Sequence, residues 1–294
     1  MEWKNRRIEA ILEQALVEDK ATSDVTTALT VDRSLRAAAT IVAKEECVLS
    51  GLGCVPRFLD IFARLDGGSS GRYEVVSHPE IFDGVRLRKG QAIAVIRHNA
   101  RVILACERVI LNLMQRMSGI ATVTRRYVSE VDGTGAKVLD TRKTVPGLRI
   151  LDKYAVRCGG GENHRLDLSD GILIKNNHIS LGGGIEKVLA RAKERRKPGQ
   201  TIDIEVRNFA ELELALDHGA ESLLLDNMTP AEVKKSVGIV RDRGLDFPLE
   251  ASGGITLENI RKYALAGPDY ISVGALTHSA MAVDLSMRIT AELY

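Results

Sequence analysis

The sequence lacks the features that would direct it to a nucleic acid, a membrane or an oxidising compartment. Its 41 lysines and arginines nearly cancel its 39 aspartates and glutamates, so no global field attracts a polyanion. No nucleic-acid partner is expected, and any anion must be recognised by cations gathered locally. Cysteine is scarce: Cys47, Cys54, Cys106 and Cys158 include no CxxC pair and no zinc-ligand spacing. They read as reduced, partly buried thiols of a cytosolic protein. The opening MEWKNRRIEAILEQAL carries charges every few positions where a secretory signal would be apolar. No run approaches the ~18 apolar residues of a membrane span. A soluble, cytoplasmic chain with no membrane partner is therefore expected. Also missing are paired histidine spacings, a GxSxG elbow, a Walker loop and a GxGxxG after a first strand. Zinc hydrolysis, serine hydrolysis and the common nucleotide-binding loops are thereby disfavoured. Tandem repeats and low-complexity segments are absent as well.

What is present is the balance of an ordinary globular protein, with 45% hydrophobic and 27% charged residues. A length of 294 residues suits one large α/β barrel, or a barrel with a small second domain. Over residues 4–18, Ile8, Ile11, Leu12, Ala15 and Leu16 recur at helical spacing. β-leaning stretches follow near residues 37–43, 73–77 and 92–97, with turns at Gly67-Gly68-Ser69-Ser70-Gly71 and Asp83-Gly84. A long helical pattern then runs from Ala100 through Leu104, Val109 and Leu113 to Met117. Helices and strands mixed without regular alternation indicate a small α+β domain.

From about residue 137 the texture changes. The short apolar runs KVLD, GILIK, TIDIEV, SLLLDN, PLEASGG and YISVG are separated by amphipathic stretches such as NFAELELALDHG. That alternation predicts βα units around a parallel sheet of about six strands, short of the usual eight of a closed barrel. Residues 283–289 alternate as one more strand, with a return to the first domain as its natural place.

Polar residues close these strands in succession. Lys175 follows Ile172-Leu173-Ile174, Glu205 closes Ile202-Asp203-Ile204, and Asp226 follows Leu223-Leu224-Leu225. Ser252-Gly253-Gly254 follows Leu249-Glu250-Ala251, and Gly274 follows Ile271-Ser272-Val273. One Lys or Asp after a strand is more often a helix cap or a surface charge. Five strands ending so point to the active-site end of a barrel. Glycines after the last two strands let backbone N–H groups approach a phosphate, though each alone could merely make a turn. The densest cation cluster spans residues 140–178 and holds Arg142, Lys143, His164, Arg165 and Lys175. Arg149, Lys153 and Arg157, spaced by four, read as the solvated or pairing face of a short helix. Adjacent cations at turn-rich points repel one another unless an anion sits between them, and guanidinium forks suit carboxylates and phosphates. Glu205 and Asp226, from consecutive strands, are the carboxylates placed to share Mg²⁺ beside a polyphosphate. These residues describe a site for a polyanion carrying a phosphate. They leave the reaction open, and Schiff-base chemistry at Lys175 or a phosphate sensor fits the same pattern.

The sequence resembles the quinolinate phosphoribosyltransferases along nearly its whole length. ERVILNLMQRMSGIAT, VLDTRKTVPGLRILDKYAVRCGGGENHR, ILIKNNHI, LLLDNM, EASGGI and ISVGALTHSA are similar to that family's signatures, and Asp24-Val25-Thr26-Thr27 to an early one. Two departures are Ala21-Thr22-Ser23, where a glycine-rich approach is usual, and Asn176, where Asp is common. The resemblance implies an α/β fold: an N-terminal α/β open-sandwich domain plus an atypical open six-stranded α/β barrel. The corresponding domains are residues 1–112, completed by 279–294, and residues 113–278. It further implies that Arg108, Arg142, His164, Arg165 and Lys175 hold the carboxylates of quinolinate, with Thr141 and Lys143 in the same binding stretch. Ser252, Gly253, Gly254, Val273, Gly274 and Ala275 would receive the 5-phosphate of phosphoribosyl pyrophosphate, with His278 lying behind them. Glu205 and Asp226 would serve the ribose hydroxyls and Mg²⁺. Lys143, Lys175, Glu205 and Asp226 form the implied catalytic set. The implied product is nicotinate mononucleotide, made on the route to NAD. A homodimer with shared active sites, able to assemble further into a hexamer, completes the expectation.

Overall fold

The structure is a computed structural model, and it describes residues 1–68 and 71–292. Ser69 and Ser70 of the expected glycine-rich turn lie outside the described residues. The chain forms two compact units: residues 1–125 with 144–160 and 279–294, and residues 126–143 with 161–278.

In the first unit, α1 (Arg6–Glu18) begins where the Asn5 side chain accepts the backbone N–H of Arg7. Its stripe of Ile8, Leu12 and Leu16 is buried. After the short α2 (Val25–Thr30), β1 (Arg36–Ala43) starts a sheet; β2 (Cys47–Val48), α3 (Cys54–Leu65), β3 (Glu74–Val76), β4 (Arg86–Leu87) and β5 (Ala92–Asn99) follow. The sheet order is β12-β1-β5-β3, where β12 (Leu285–Ala291) is the final strand, antiparallel to β1. A separate short ladder joins β2 and β4.

The long helical pattern extends further than its apolar residues suggest, as α4 (Ala100–Glu130). The expected domain division after residue 112 would cut this helix, which has no proline to interrupt it. Residues 144–160, expected in the barrel, also belong to the first unit. They carry α5 (Arg149–Cys158), fixed by its buried Asp152, whose carboxylate accepts the Arg116 fork at 3.0 and 2.7 Å. Lys153 on this helix is 3% exposed, so its spacing of four from Arg149 and Arg157 does not mark a solvated face.

The second unit alternates as expected: β6 (Lys137–Leu139), β7 (Ile172–Ile174), α6 (Asn176–Gly182), α7 (Ile185–Arg195), β8 (Ile202–Val206), α8 (Phe209–Asp217), β9 (Ser222–Asp226), α9 (Pro230–Asp242), β10 (Leu249–Ser252), α10 (Ile260–Ala264), β11 (Tyr270–Ser272) and α11 (Ala275–His278). The six strands are parallel, in the order β6-β11-β10-β9-β8-β7. This is the order of a barrel opened at one seam, since β6 and β7 occupy the two edges. Ile202, Ile204, Val206, Leu223, Leu225, Leu249, Ala251 and Ile271, all 0% exposed, form the outward face beneath the helices. Burying each large aliphatic side chain contributes roughly 1.5–3 kcal/mol, so the outer face stabilises the layer and the inner face is free to be polar.

The close approach at Gly119 of α4 makes one stability prediction. A Cβ there would run into the carbonyl oxygen of Met281 and lie 3.1 Å from Cα of Ala282. Gly119→Ala gains about 1 kcal/mol of helix propensity. It loses about 1–3 kcal/mol to overpacking against backbone that cannot rotate away, so the loss should dominate. The thermal midpoint should fall by a few degrees. An unchanged or raised midpoint would show that residues 281–282 do not pack against α4 as described.

Candidate active site

The strand registers place one set of side chains on the inner face of the second unit. Asp203 pairs with Ser222, Glu205 with Leu224, Leu224 with Glu250, Asp226 with Ser252, and Ser252 with Ser272. Because side chains alternate, this face carries Asp203, Glu205, Ser222, Asp226, Glu250, Ser252 and Ser272. The strands are thus apolar outward and polar inward. All the strands being parallel, the inner polar groups converge at one carboxyl end.

The cationic side of the site depends on Asp140, immediately after β6. Asp140 is 0% exposed, and its carboxylate accepts the Asn163 side-chain N–H at 2.7 Å and the His164 backbone N–H at 2.8 Å. Two backbone bonds extend the join: Glu162 N–H to Val138 O at 2.8 Å and Asp140 N–H to Glu162 O at 3.1 Å. Residues 162–164 therefore run beside β6 and bring His164 and Arg165 to the Thr141-Arg142-Lys143 turn. That turn is closed by Lys143 N–H donating to Thr141 Oγ1 at 3.1 Å. It is tied to α11 by the Thr277 hydroxyl, which donates to Lys143 O at 2.8 Å. The proximity of Arg142 and Arg165 has an electrostatic signature. The pKa of Arg165 is lowered, first by burial and next by the Arg142 charge, against weaker support from Asp203 and Asp170. Two guanidiniums thus crowd one another at a half-buried point, which favours an anion between them.

The acidic side is built from β8 and β9. Glu205 is 9% exposed, and its pKa is raised by burial and then by the charge of Asp226. The backbone N–H of Asn176, Lys175 and Arg207 act in the opposite sense. Lys175 is exposed at the start of α6, where its own N–H donates to Nδ1 of His178 at 2.9 Å. Asp203, deeper on β8, has a raised pKa, first from burial and then from the Glu250 charge, offset by a Ser222 hydrogen bond, His164 and Arg165. Among the described residues no group of three or more His, Cys, Asp or Glu is arranged to hold a metal. Glu205 and Asp226 are a pair, which is what a cation shared with substrate oxygens needs.

After β10 the chain turns through Ser252-Gly253-Gly254. Gly253 has φ +94°, and a Cβ on it would collide with the Asn227 side chain. Asn227 itself has φ +56°, and its N–H donates to Ser252 O at 2.8 Å, locking the ends of β9 and β10 together. The Ser272 hydroxyl donates to Ser252 Oγ at 2.9 Å. After β11, a Cβ on Gly274 would lie 3.0 Å from His278 Nε2 and 3.3 Å from Lys143 Cδ. Lys143, Gly274 and His278 therefore share one corner, with Ala275 opening α11 and Val273 buried behind them.

The second unit thus gathers Thr141, Arg142, Lys143, His164, Arg165, Lys175, Glu205, Asp226 and the Ser252 and Gly274 loops at one end of one sheet. Arg108 is exposed on α4, in the first unit. Reading the strand ends alone passed over Asp140, Asp203, Glu250, Asn227 and Thr277. For Asp203 and Glu250 a signal exists: each precedes a strand-end residue by two and must share its face.

Comparison with known proteins identifies the family. The family description "Quinolinate phosphoribosyl transferase, N-terminal domain" matches residues 24–118, and "Quinolinate phosphoribosyl transferase, C-terminal domain" matches residues 120–288. The chain is 41% identical over 279 residues to the "Nicotinate-nucleotide pyrophosphorylase [carboxylating]" of Mycobacterium leprae (strain TN), covering 95% of each. It is 36% identical to a Nicotiana tabacum protein named "Quinolinate phosphoribosyltransferase [decarboxylating] 2a, mitochondrial", over 97% of this chain and 83% of that one. The crystal structure of NadC from Streptococcus pyogenes superposes with a TM-score of 0.88 at 36% identity, covering 97% of each chain. With both domain descriptions matched in order and relatives aligned almost end to end, the chain belongs to the quinolinate phosphoribosyltransferase family.

Proposed function

We propose that the chain transfers the phosphoribosyl group of phosphoribosyl pyrophosphate to the ring nitrogen of quinolinate, releasing pyrophosphate and CO₂ and giving nicotinate mononucleotide. The observation that carries this reading is the crowding of Arg165 by Arg142, two half-buried guanidiniums whose like charges a dianion between them would offset. Pyridine-2,3-dicarboxylate supplies two carboxylates on one rigid ring, matched to two forks. Thr141, His164, Lys175 and Arg108 are assigned to the same substrate through the family resemblance. Schiff-base chemistry at Lys175 is disfavoured by the exposure of that residue, since a nucleophilic lysine is activated by desolvation.

The chemistry needs no protein nucleophile. As pyrophosphate leaves, positive charge develops at the anomeric carbon and the pyridine nitrogen attacks it. Glu205 and Asp226 would hold the ribose hydroxyls, with their charge facing the developing cation. Lys143 and Lys175 stand over the departing anion. The Ser252-Gly253-Gly254 turn and the Val273-Gly274-Ala275 corner present backbone donors to the 5-phosphate. Ribosylation makes the ring nitrogen cationic, and that charge stabilises the carbanion left at C2 as the 2-carboxylate departs as CO₂, before a proton taken up from water completes the C2–H bond of the product. The arginines must grip that group without stabilising it beyond its transition state.

Glu205 and Asp226 fit Mg²⁺, since the Asp226 charge adds to the cost of ionising the buried Glu205 and a cation between them would relieve it. Mg²⁺ bound there with pyrophosphate oxygens would neutralise the leaving group. No helix among the described residues is long and apolar enough to cross a membrane, and the four cysteines are free. A cytoplasmic site of action is part of the same proposal, as is a homodimer in which each active site takes Arg108 from the partner, with a hexamer as its further assembly.

Incubation with quinolinate, phosphoribosyl pyrophosphate and Mg²⁺ should yield nicotinate mononucleotide and CO₂ in equal amounts. Absence of both products with folded protein would refute the assignment.

Glu205→Gln and Asp226→Asn should each raise the Mg²⁺ concentration needed for half-maximal rate, with quinolinate binding nearly intact. Protons compete with metal for Glu205. Its raised pKa means that the wild-type Mg²⁺ requirement should increase as pH falls through that value, and Glu205→Gln should abolish the increase. Unchanged metal and pH dependence in both variants would remove the pair from this role.

Shared sites predict complementation between inactive Arg108→Ala and Lys175→Ala chains. In a mixed dimer one site carries both defects and the other carries neither. Random pairing makes about half the dimers mixed, so activity should recover to about a quarter of wild type. No recovery, with mixed dimers shown to form, would place both residues in one chain's site.

A further inference from the structure

Glu250 lies on the inner face of β10, and none of the roles described above belongs to it. Its side chain is 12% exposed, and its Oε2 is 3.3 Å from Nε2 of His164, whose side chain is 13% exposed. Its other oxygen, Oε1, is buried with no hydrogen-bond partner among the described residues. A buried carboxylate oxygen left unsatisfied is costly, so the imidazole is the polar contact that makes the burial of Glu250 tolerable.

The far side of the same ring is also engaged. Nδ1 of His164 accepts the backbone N–H of Arg165 at 2.7 Å. A ring nitrogen that accepts carries no proton, so the imidazole hydrogen sits on Nε2, directed at Glu250. The His164 backbone is held separately by Asp140. The imidazole thus spans a fixed acid on β10 and the peptide of Arg165, whose guanidinium faces Arg142. The arrangement parallels a metal-bound histidine whose tautomer is set by an outer carboxylate, with a peptide N–H in place of the metal.

We propose that Glu250 is a positioning residue: by holding the Nε2–H of His164, it orients the imidazole to order the Arg165 peptide and aim the Arg165 guanidinium at the dicarboxylate. This rests on the dicarboxylate reading, and it adds a residue on a third strand to the recognition of that substrate. The effect runs through geometry, not through charge. A negative charge near a site for a dianion opposes binding, so removing the charge while keeping the acceptor should do no harm.

Two variants separate these effects. Glu250→Gln retains an oxygen to accept from Nε2–H, whereas Glu250→Leu removes it. Nitrogen-15 spectra of the His164 ring in wild type and Glu250→Gln should show an unprotonated Nδ1 and a protonated Nε2. In Glu250→Leu the two signals should move towards the average of exchanging tautomers. The Michaelis constant for quinolinate should not rise in Glu250→Gln. In Glu250→Leu it should rise about tenfold, as expected for a lost hydrogen bond to a charged group, while that for phosphoribosyl pyrophosphate stays within about twofold. Unchanged spectra and constants in Glu250→Leu would overturn the proposal. An equal rise in both constants would reduce Glu250 to a structural residue. A protonated Nδ1 in the wild type would also refute it, and that result needs neither a folded Leu variant nor any turnover. Failure of the wild type to consume quinolinate would instead count against the functional reading.

Discussion

The site depends on one buried carboxylate at the open seam of the barrel. Asp140 follows the first strand of the second unit, and its two oxygens hold the Asn163 side chain and the His164 backbone. Without that join, the segment carrying His164 and Arg165 would be a loop with no defined relation to Arg142. With it, two guanidiniums that repel each other are held in place by backbone hydrogen bonds and a carboxylate that is fully sequestered from water. A dianion bound between them would offset the Arg142 charge that lowers the pKa of Arg165. This is preorganisation in its electrostatic form: the cost of assembling the charges is met on folding, before the ligand arrives.

The same logic explains the two faces of the parallel sheet. Ile202, Ile204 and Val206 point outward under helices, while Asp203 and Glu205 on the same strand point inward. Polar groups of the inner face pair with neighbours, Ser272 with Ser252 and Asp203 with Ser222 across strands, and one oxygen of Glu250 with His164. Glu205 and Asp226 instead carry like charge on neighbouring strands, and the Asp226 charge raises the pKa of Glu205. The inner face thus presents a cation-rich side near β6, an anion-rich side at β8 and β9, and glycine turns after β10 and β11.

Much of this was legible in the sequence because strand periodicity is local. TIDIEV and SLLLDN announce both a strand and the side on which Glu205 and Asp226 emerge, and the six apolar runs correspond one for one to six strands. What could not be read was fixed by partners far away in the chain. The Asp140–His164 bond joins residues 24 apart, and Glu250 meets His164 from a different strand altogether. Residues 144–160 fall within the span of the C-terminal domain match yet pack in the first compact unit, for a related reason. Their amphipathic helix fits any helical layer, and distant partners commit it to the first unit: the Arg116–Asp152 fork, the Tyr154 hydroxyl donating to Asp83, and Arg125 donating to Gly159 O. Lys153 shows the limit of spacing arguments, since a cation at a surface-like interval is buried once a second element covers that face.

The central claim is that the crowded Arg142–Arg165 pair is built for a dianion. Calorimetric titration of the resting protein with quinolinate and with nicotinate, in the same buffer and salt, tests it without relying on turnover. Quinolinate should bind at least about tenfold more tightly than nicotinate, because losing one charge-assisted fork costs roughly 1.5–3 kcal/mol. Arg142→Lys, which keeps the charge but not the fork, should erase most of that preference. Equal affinity for the two acids in the wild type, or a preference untouched by Arg142→Lys, would contradict the account.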